Sequence, residues 1–198
     1  MRGARWGSGA HHLLFLHEPG ANIDAWGSLP RALARALPVA AIAIDLPGHG
    51  LSDDPWEPDR LSEVIRLFAP HSGERHHIII AAGASALAAL DLADALDLAG
   101  LVGFSPPRPD PDWTPRRSPR TPKLFFAGSC AGEELEIARR LASSCGGWSA
   151  VTSIPVCARG AALLETDWRG RIVEHVMGFA RDCLYPRPVG ANATRFGQ

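Results

Sequence analysis

The chain has 198 residues, a formal net charge of −1, 21% charged and 46% hydrophobic residues, which fits one medium domain able to bury a core without disulfides or metal. Near-zero net charge removes the electrostatic footprint of a nucleic-acid binder, and no run approaches the roughly 20 apolar residues of a membrane span. Cysteines at 130, 145, 157 and 183 show no C-x-x-C spacing and make neither a disulfide scaffold nor a zinc site. The first residues lead into Gly, Ser and His rather than an apolar signal core. The expectation is a cytoplasmic protein with one domain over residues 1–183, a flexible tail over 184–198, and no cofactor or metal.

Apolar runs alternate with helical patterns along the whole chain. Leu13 to His17 reads as a buried strand, and Trp26, Leu29, Leu33 and Leu37 follow at helical spacing. Val39 to Asp45 is a second strand, followed by a Pro/Gly/Asp-rich loop and a short helix over Leu61 to Phe68. His77 to Ala82, with three consecutive isoleucines, is a third strand; Ser85 to Leu98 is a helix with Asp91, Asp94 and Asp97 on its solvated side. Strands at Leu101 to Ser105, Lys123 to Ala127 and Ala150 to Ile154 and helices at Glu133 to Ser143 and Arg169 to Asp182 complete the pattern. The segment from Pro106 to Pro122, rich in proline and arginine, reads as a solvated linker. Unbroken apolar strands alternating with helices imply an α/β fold: a mainly parallel sheet of about six strands covered on both faces, three layers in all. Ligands bind such sheets outside the carboxyl ends of the strands, so function belongs in the loops that follow them.

Two of those loops carry recognisable residues. One is Leu14-Phe15-Leu16-His17-Glu18-Pro19-Gly20, with Trp26 nine residues after His17. The other is Asp45-Leu46-Pro47-Gly48-His49-Gly50-Leu51-Ser52-Asp53. Together they resemble the α/β-hydrolase superfamily, and over roughly residues 12 to 183 the chain is similar to a small, lidless, esterase-like member. The resemblance implies a nucleophile elbow, G-x-S-x-G between strand and helix. Gly83-Ala84-Ser85-Ala86-Leu87 stands there, with Leu87 in place of the second glycine, and puts Ser85 at the nucleophile position.

The same resemblance implies an acid after Lys123 to Ala127, where Ala131 stands, with Glu133, Glu134, Asp110 and Asp112 as conceivable substitutes. It implies a histidine where the chain reads Ile154-Pro155-Val156-Cys157-Ala158-Arg159-Gly160. Arg159 holds that position, and a guanidinium stays protonated and offers no acceptor for a serine proton. One oxyanion donor would be the amide of residue 19, but Pro19 has no N–H; the other would be the amide of Ala86. Glu18, Pro19 and Trp26 would line the substrate.

Two functions stand open on these residues. One is a weakly active or non-catalytic binding protein with an incomplete triad. The other is a hydrolase of small esters or thioesters in which Ser85 uses an unusual base such as His17. Arg159 would either meet an anionic ligand beside Ser85, point outward, or pair with Glu165. Cys130 and Cys157 fall on converging loops and would form either a redox-sensitive pair or two half-buried small residues. His49, His175 and the four histidines at 11, 12, 76 and 77 read as turn, packing or solvated residues. A small ester or anionic ligand is the expected partner, with neither nucleic acid nor membrane; the oligomeric state is not encoded legibly.

Overall fold

The computed structural model describes residues 1–53, 55, 57, 60–68, 76–114, 116–130 and 132–186. Its centre is one seven-stranded sheet of β1 (Gly3–Trp6), β2 (His11–Leu16), β3 (Val39–Ile44), β4 (His77–Ala82), β5 (Gly100–Phe104), β6 (Lys123–Gly128) and β7 (Ser149–Ile154). The strand order is β1-β3-β2-β4-β5-β6-β7. Only β1 runs antiparallel, against β3; the other pairings are parallel. Every residue of β4, β5 and β6 is buried, which is why these strands read as continuous apolar runs rather than alternating ones.

Helices α1 (Leu29–Ala36) and α5 (Arg169–Leu184) cover one face of the sheet, sharing a core with Phe15, Trp26, Phe104 and Phe126. Helices α2 (Leu61–Phe68), α3 (Ala84–Leu92) and α4 (Glu133–Ser144) cover the other, around Leu16, Ile79, Leu101 and Phe125. The sheet has one strand more than the sequence suggests, because β1 is a four-residue edge strand with alternating exposure. Helix α3 stops six residues short of Leu98; a turn follows, with Asp97 at a positive φ of 49°. The helical pattern beginning at Trp26 divides into a 3-10 turn, Ile23–Trp26, and α1, whose first turn carries Pro30.

The segment between β5 and β6 is largely exposed, as a solvated linker would be, but it is tied down at several points. Its Trp113 Nε1 donates to the Asp91 carboxylate of α3 at 2.9 Å, and Arg120 lies 3.5 Å from Asp94 and 3.8 Å from Asp97. The end of the segment is held by Lys123, the chain's sole lysine, whose side chain is fully buried. Its Nζ donates to the carbonyls of Ser118 at 2.8 Å, Thr121 at 2.7 Å and Gly146 at 2.9 Å. Three acceptors match the three donors of an ammonium group, which offsets the burial that pushes its pKa down. Lys123 thus ties the segment to the turn before β7.

Replacing Lys123 with Met leaves three carbonyls without their donor in a dry environment. The expected loss is about 3 kcal/mol or more, a fall in Tm of about 6–12 °C for a chain of this size, read by thermal denaturation.

Candidate active site

The carboxyl ends of β2, β4 and β7 deliver three loops to one place, and the first question is which residue heads the turn after β4. Strand β4 ends at Ala82 and α3 begins at Ala84. Between them Gly83 has φ 54° and ψ −133°, a backbone region that side chains other than hydrogen enter at a cost of about 1–3 kcal/mol. Gly83 N–H donates to the Phe104 carbonyl at 3.0 Å, tying the turn to β5. Gly83 is therefore the tip of the sharp turn, and Ser85 lies one residue inside the helix.

That shift changes what Ser85 can do. It is fully buried, and its hydroxyl donates to the His17 carbonyl at 2.7 Å. The Ala86 amide donates to the Gly83 carbonyl at 3.0 Å, so it does not face a ligand. Ala84, the first residue of α3, is the exposed residue beside the tip.

His17 is also fully buried. Its Nε2 accepts from the Leu46 amide at 3.0 Å, which places the proton on Nδ1, 2.8 Å from the Glu18 carbonyl. Both ring nitrogens are thus spent on backbone, and burial pushes the imidazole pKa down, keeping the ring neutral. The following loop is held in the same way. Asp45 is buried; its carboxylate accepts from Ile23 at 2.9 Å and from Leu51 at 3.0 Å. A methyl group on Gly50 would overlap that carboxylate. Trp26 is fully buried with its ring against Phe15 and Phe104, so it belongs to the core and offers no surface to a substrate.

The space over the turn is filled by Glu18. A Cβ added to Gly83 would lie 2.8 Å from Glu18 Cβ, and one added to Gly160 would overlap the Glu18 carboxylate. The Ala161 amide donates to this carboxylate. Burial, and secondarily the charge of Glu134, raises its pKa above the ordinary glutamate value, and the Ala161 bond opposes the rise. Pro19, next in the chain, is exposed. Glu18 was read from sequence as a residue lining the substrate; its contacts with Gly83, Gly160 and Ala161 make it the central side chain.

Arg159 does not face Ser85 or pair with Glu165. It forms an ion pair with Glu134, a nearly buried residue of α4, while its own side chain stays 69% exposed. Glu133 pairs with Arg108 at 2.6 Å. Ala131, at the expected acid position, lies outside the described residues. Cys130 and Cys157 do come together: both are exposed free thiols, and a hydrogen bond to Cys157 raises the Cys130 pKa. At the end of β5, Ser105 escaped sequence reading. It has a positive φ of 41°, is 8% exposed, and its hydroxyl has no hydrogen-bond partner among the described residues. Its only signal is its place directly after a strand. Among the described residues no group of three or more His, Cys, Asp or Glu is arranged to hold a metal, and no helix is long and apolar enough to cross a membrane.

A sequence profile described as the alpha/beta hydrolase family matches residues 13–196. The chain is similar to the esterase Rv0045c of Mycobacterium tuberculosis, with 33% identity over 114 residues, covering 52% of this chain and 36% of that protein. The aligned stretch thus spans about a third of that relative's length. Among solved structures it resembles a monoacylglycerol lipase of Paleococcus ferrophilus, with TM-score 0.73, 14% identity, and coverage of 92% of this chain and 98% of that one. It also resembles a haloalkane dehalogenase loop variant from Bradyrhizobium elkanii, with TM-score 0.67, 17% identity, and coverage of 91% and 92%. Those two proteins are named for different chemistries on one fold, so the fold alone does not choose a reaction.

The raised pKa of Glu18 has a consequence for stability. Between the unfolded value near 4.5 and the folded one, the native state binds more protons than the unfolded chain, so stability falls as pH rises through that window. Glu18→Gln removes the titration. The variant is expected to be more stable than the wild type at pH 7.5, with the difference gone below about pH 4.5, as read from urea denaturation across that range.

Proposed function

The chain belongs to the alpha/beta hydrolase family, and on that premise we propose that it is an open, lidless member without serine-hydrolase chemistry, acting as a cytoplasmic binding protein for a small ester or anionic ligand. The observation that carries this reading is Gly83 at the tip of the turn, with φ 54° and ψ −133°. A glycine there supplies no nucleophile, and Glu18 fills the space a nucleophile's side chain would need.

The other departures agree with it. The Ser85 hydroxyl is bonded to backbone inside the core, and His17 has no ring nitrogen left to take its proton. These bonds disfavour the alternative hydrolase built on Ser85 and His17. Arg159, at the histidine position, is engaged by Glu134 and supplies no base. The segment that would carry a lid is held to α3 through Trp113 and Arg120 and to α4 through Arg108, which supports the lidless reading. All four cysteines are free, which suits a reducing cytoplasm.

A fluorophosphonate probe followed by peptide mass spectrometry is expected to leave Ser85 unlabelled in folded protein. A Ser85 adduct that disappears in Ser85→Ala would overturn the reading. The crowding at Gly83 is tested separately by a double-mutant cycle in stability. Gly83→Ser alone is expected to cost about 3 kcal/mol, and Glu18→Ala in the same molecule to recover about 1–2 kcal/mol of that loss. Strict additivity would mean that Glu18 does not occupy the space above the turn.

A further inference from the structure

Outside the loops described above, the described residues form a groove on the α5 face of the sheet. This groove of about 680 Å³ runs between α5 and the outer strands, floored by Leu124, Trp148 and Ala150 and walled by Phe179. At one end it shares Thr152 and His175 with a smaller cavity of about 190 Å³ that adds Ser153 and Arg171. The groove is apolar along its length and becomes polar and cationic at one end. We propose that it is a binding site for a medium-chain alkyl carboxylate, with the carboxylate beside Arg171, His175 and Thr152 and the chain along Leu124, Ala150 and Phe179.

Length and polarity both fit. From Arg171 to Asp182 a helix rises about 16 Å, and the six residues of β7 span about the same. An extended chain laid along both elements would be buried for most of its length. The polar end favours an anion. The Arg171 guanidinium stacks over Trp168 with its carbon 5.4 Å from the ring, and among the described residues no carboxylate pairs with it. His175 Nδ1 lies 3.4 Å from the Thr152 hydroxyl. The first turn of α5 has no acidic residue, so Arg171 stands near the helix end where its own charge is disfavoured, a cost that a bound anion would offset. The opposite end carries Asp182, which repels a carboxylate and fixes the ligand's direction.

One glycine of the helix lies on the wall of the groove. Gly178 lies in the interior of α5, and a Cβ added there would meet nothing within 4 Å. No steric contact demands a glycine, and its presence costs about 1 kcal/mol relative to alanine. Its place among the groove-lining residues is where a larger side chain would take the ligand's room. The site is separate from Gly83 and Glu18, and it stands whether or not that region retains chemistry.

The test is isothermal titration of decanoate, decanol and decyltrimethylammonium, each below its aggregation concentration. Decanoate is expected to bind one to one, about tenfold or more tighter than decanol, with decyltrimethylammonium weaker still. Across hexanoate, octanoate and decanoate the affinity should rise about fourfold per methylene. Arg171→Gln should abolish the preference for decanoate over decanol while leaving decanol binding intact. Gly178→Phe, verified as folded by circular dichroism, should remove binding of both. Equal affinity for decanoate and decanol would overturn the proposal, as would unchanged binding in folded Gly178→Phe. A dimer by sedimentation that takes up no decanoate would assign the groove to a second copy and overturn it as well.

Discussion

The arrangement at the carboxyl ends of the strands depends on one side chain, Glu18, wedged between two glycines. Gly83 and Gly160 come from loops 77 residues apart in the chain, and each lacks the Cβ that would collide with it. The Ala161 amide then satisfies part of the carboxylate. A half-buried carboxyl is costly to ionise, and the upward shift in its pKa is the measure of that cost. The neighbouring ion pair limits the cost. Arg159 neutralises Glu134, so Glu18 does not sit beside a second unpaired carboxylate.

A second group of residues shows how motifs shared with the alpha/beta hydrolase family serve the fold itself. His17 and Asp45 hold the loop after β3 through bonds to Leu46, Ile23 and Leu51. The Ser52 hydroxyl donates to the Asp45 carbonyl at 2.8 Å and accepts from the Arg2 amide at 2.9 Å, which anchors β1 to the same loop. None of these bonds requires a substrate. They satisfy backbone groups that would otherwise be buried without partners, so the fold needs these residues whatever chemistry the loops carry.

Much of the fold was legible because burial on both faces leaves a plain mark. The isoleucines of β4 and the phenylalanines of β6 read as strands, and Leu61–Phe68 reads as the helix it forms. Edges and ends were less legible. β1 offers four residues without an apolar run, and α3 ends within an alanine- and leucine-rich stretch through a turn at Asp97 that propensity does not forbid. The site was misread by two residues for a specific reason. Gly83-Ala84-Ser85 matches G-x-S by letter, but the geometry of a strand-to-helix turn assigns the positive φ to the first residue after the strand, here Gly83. The sequence holds that signal, since the apolar run of β4 ends at Ala82. Tertiary partners such as Glu134 for Arg159 left none, because an ion pair between a loop and a helix 25 residues away has no local pattern.

The two glycine-dependent regions of the molecule obey opposite logic, which bears on where binding is sited. At Gly83 and Gly160 the missing side chains are required by a neighbour already in place, so the local structure is closed upon itself. At Gly178 no neighbour demands the glycine, yet a helix of 16 residues retains it in its interior. A region whose glycines are filled has lost room for a ligand, and a region whose glycine is unfilled has kept it. On that physical ground the proposed apolar ligand is placed on the α5 face rather than at the ends of the strands.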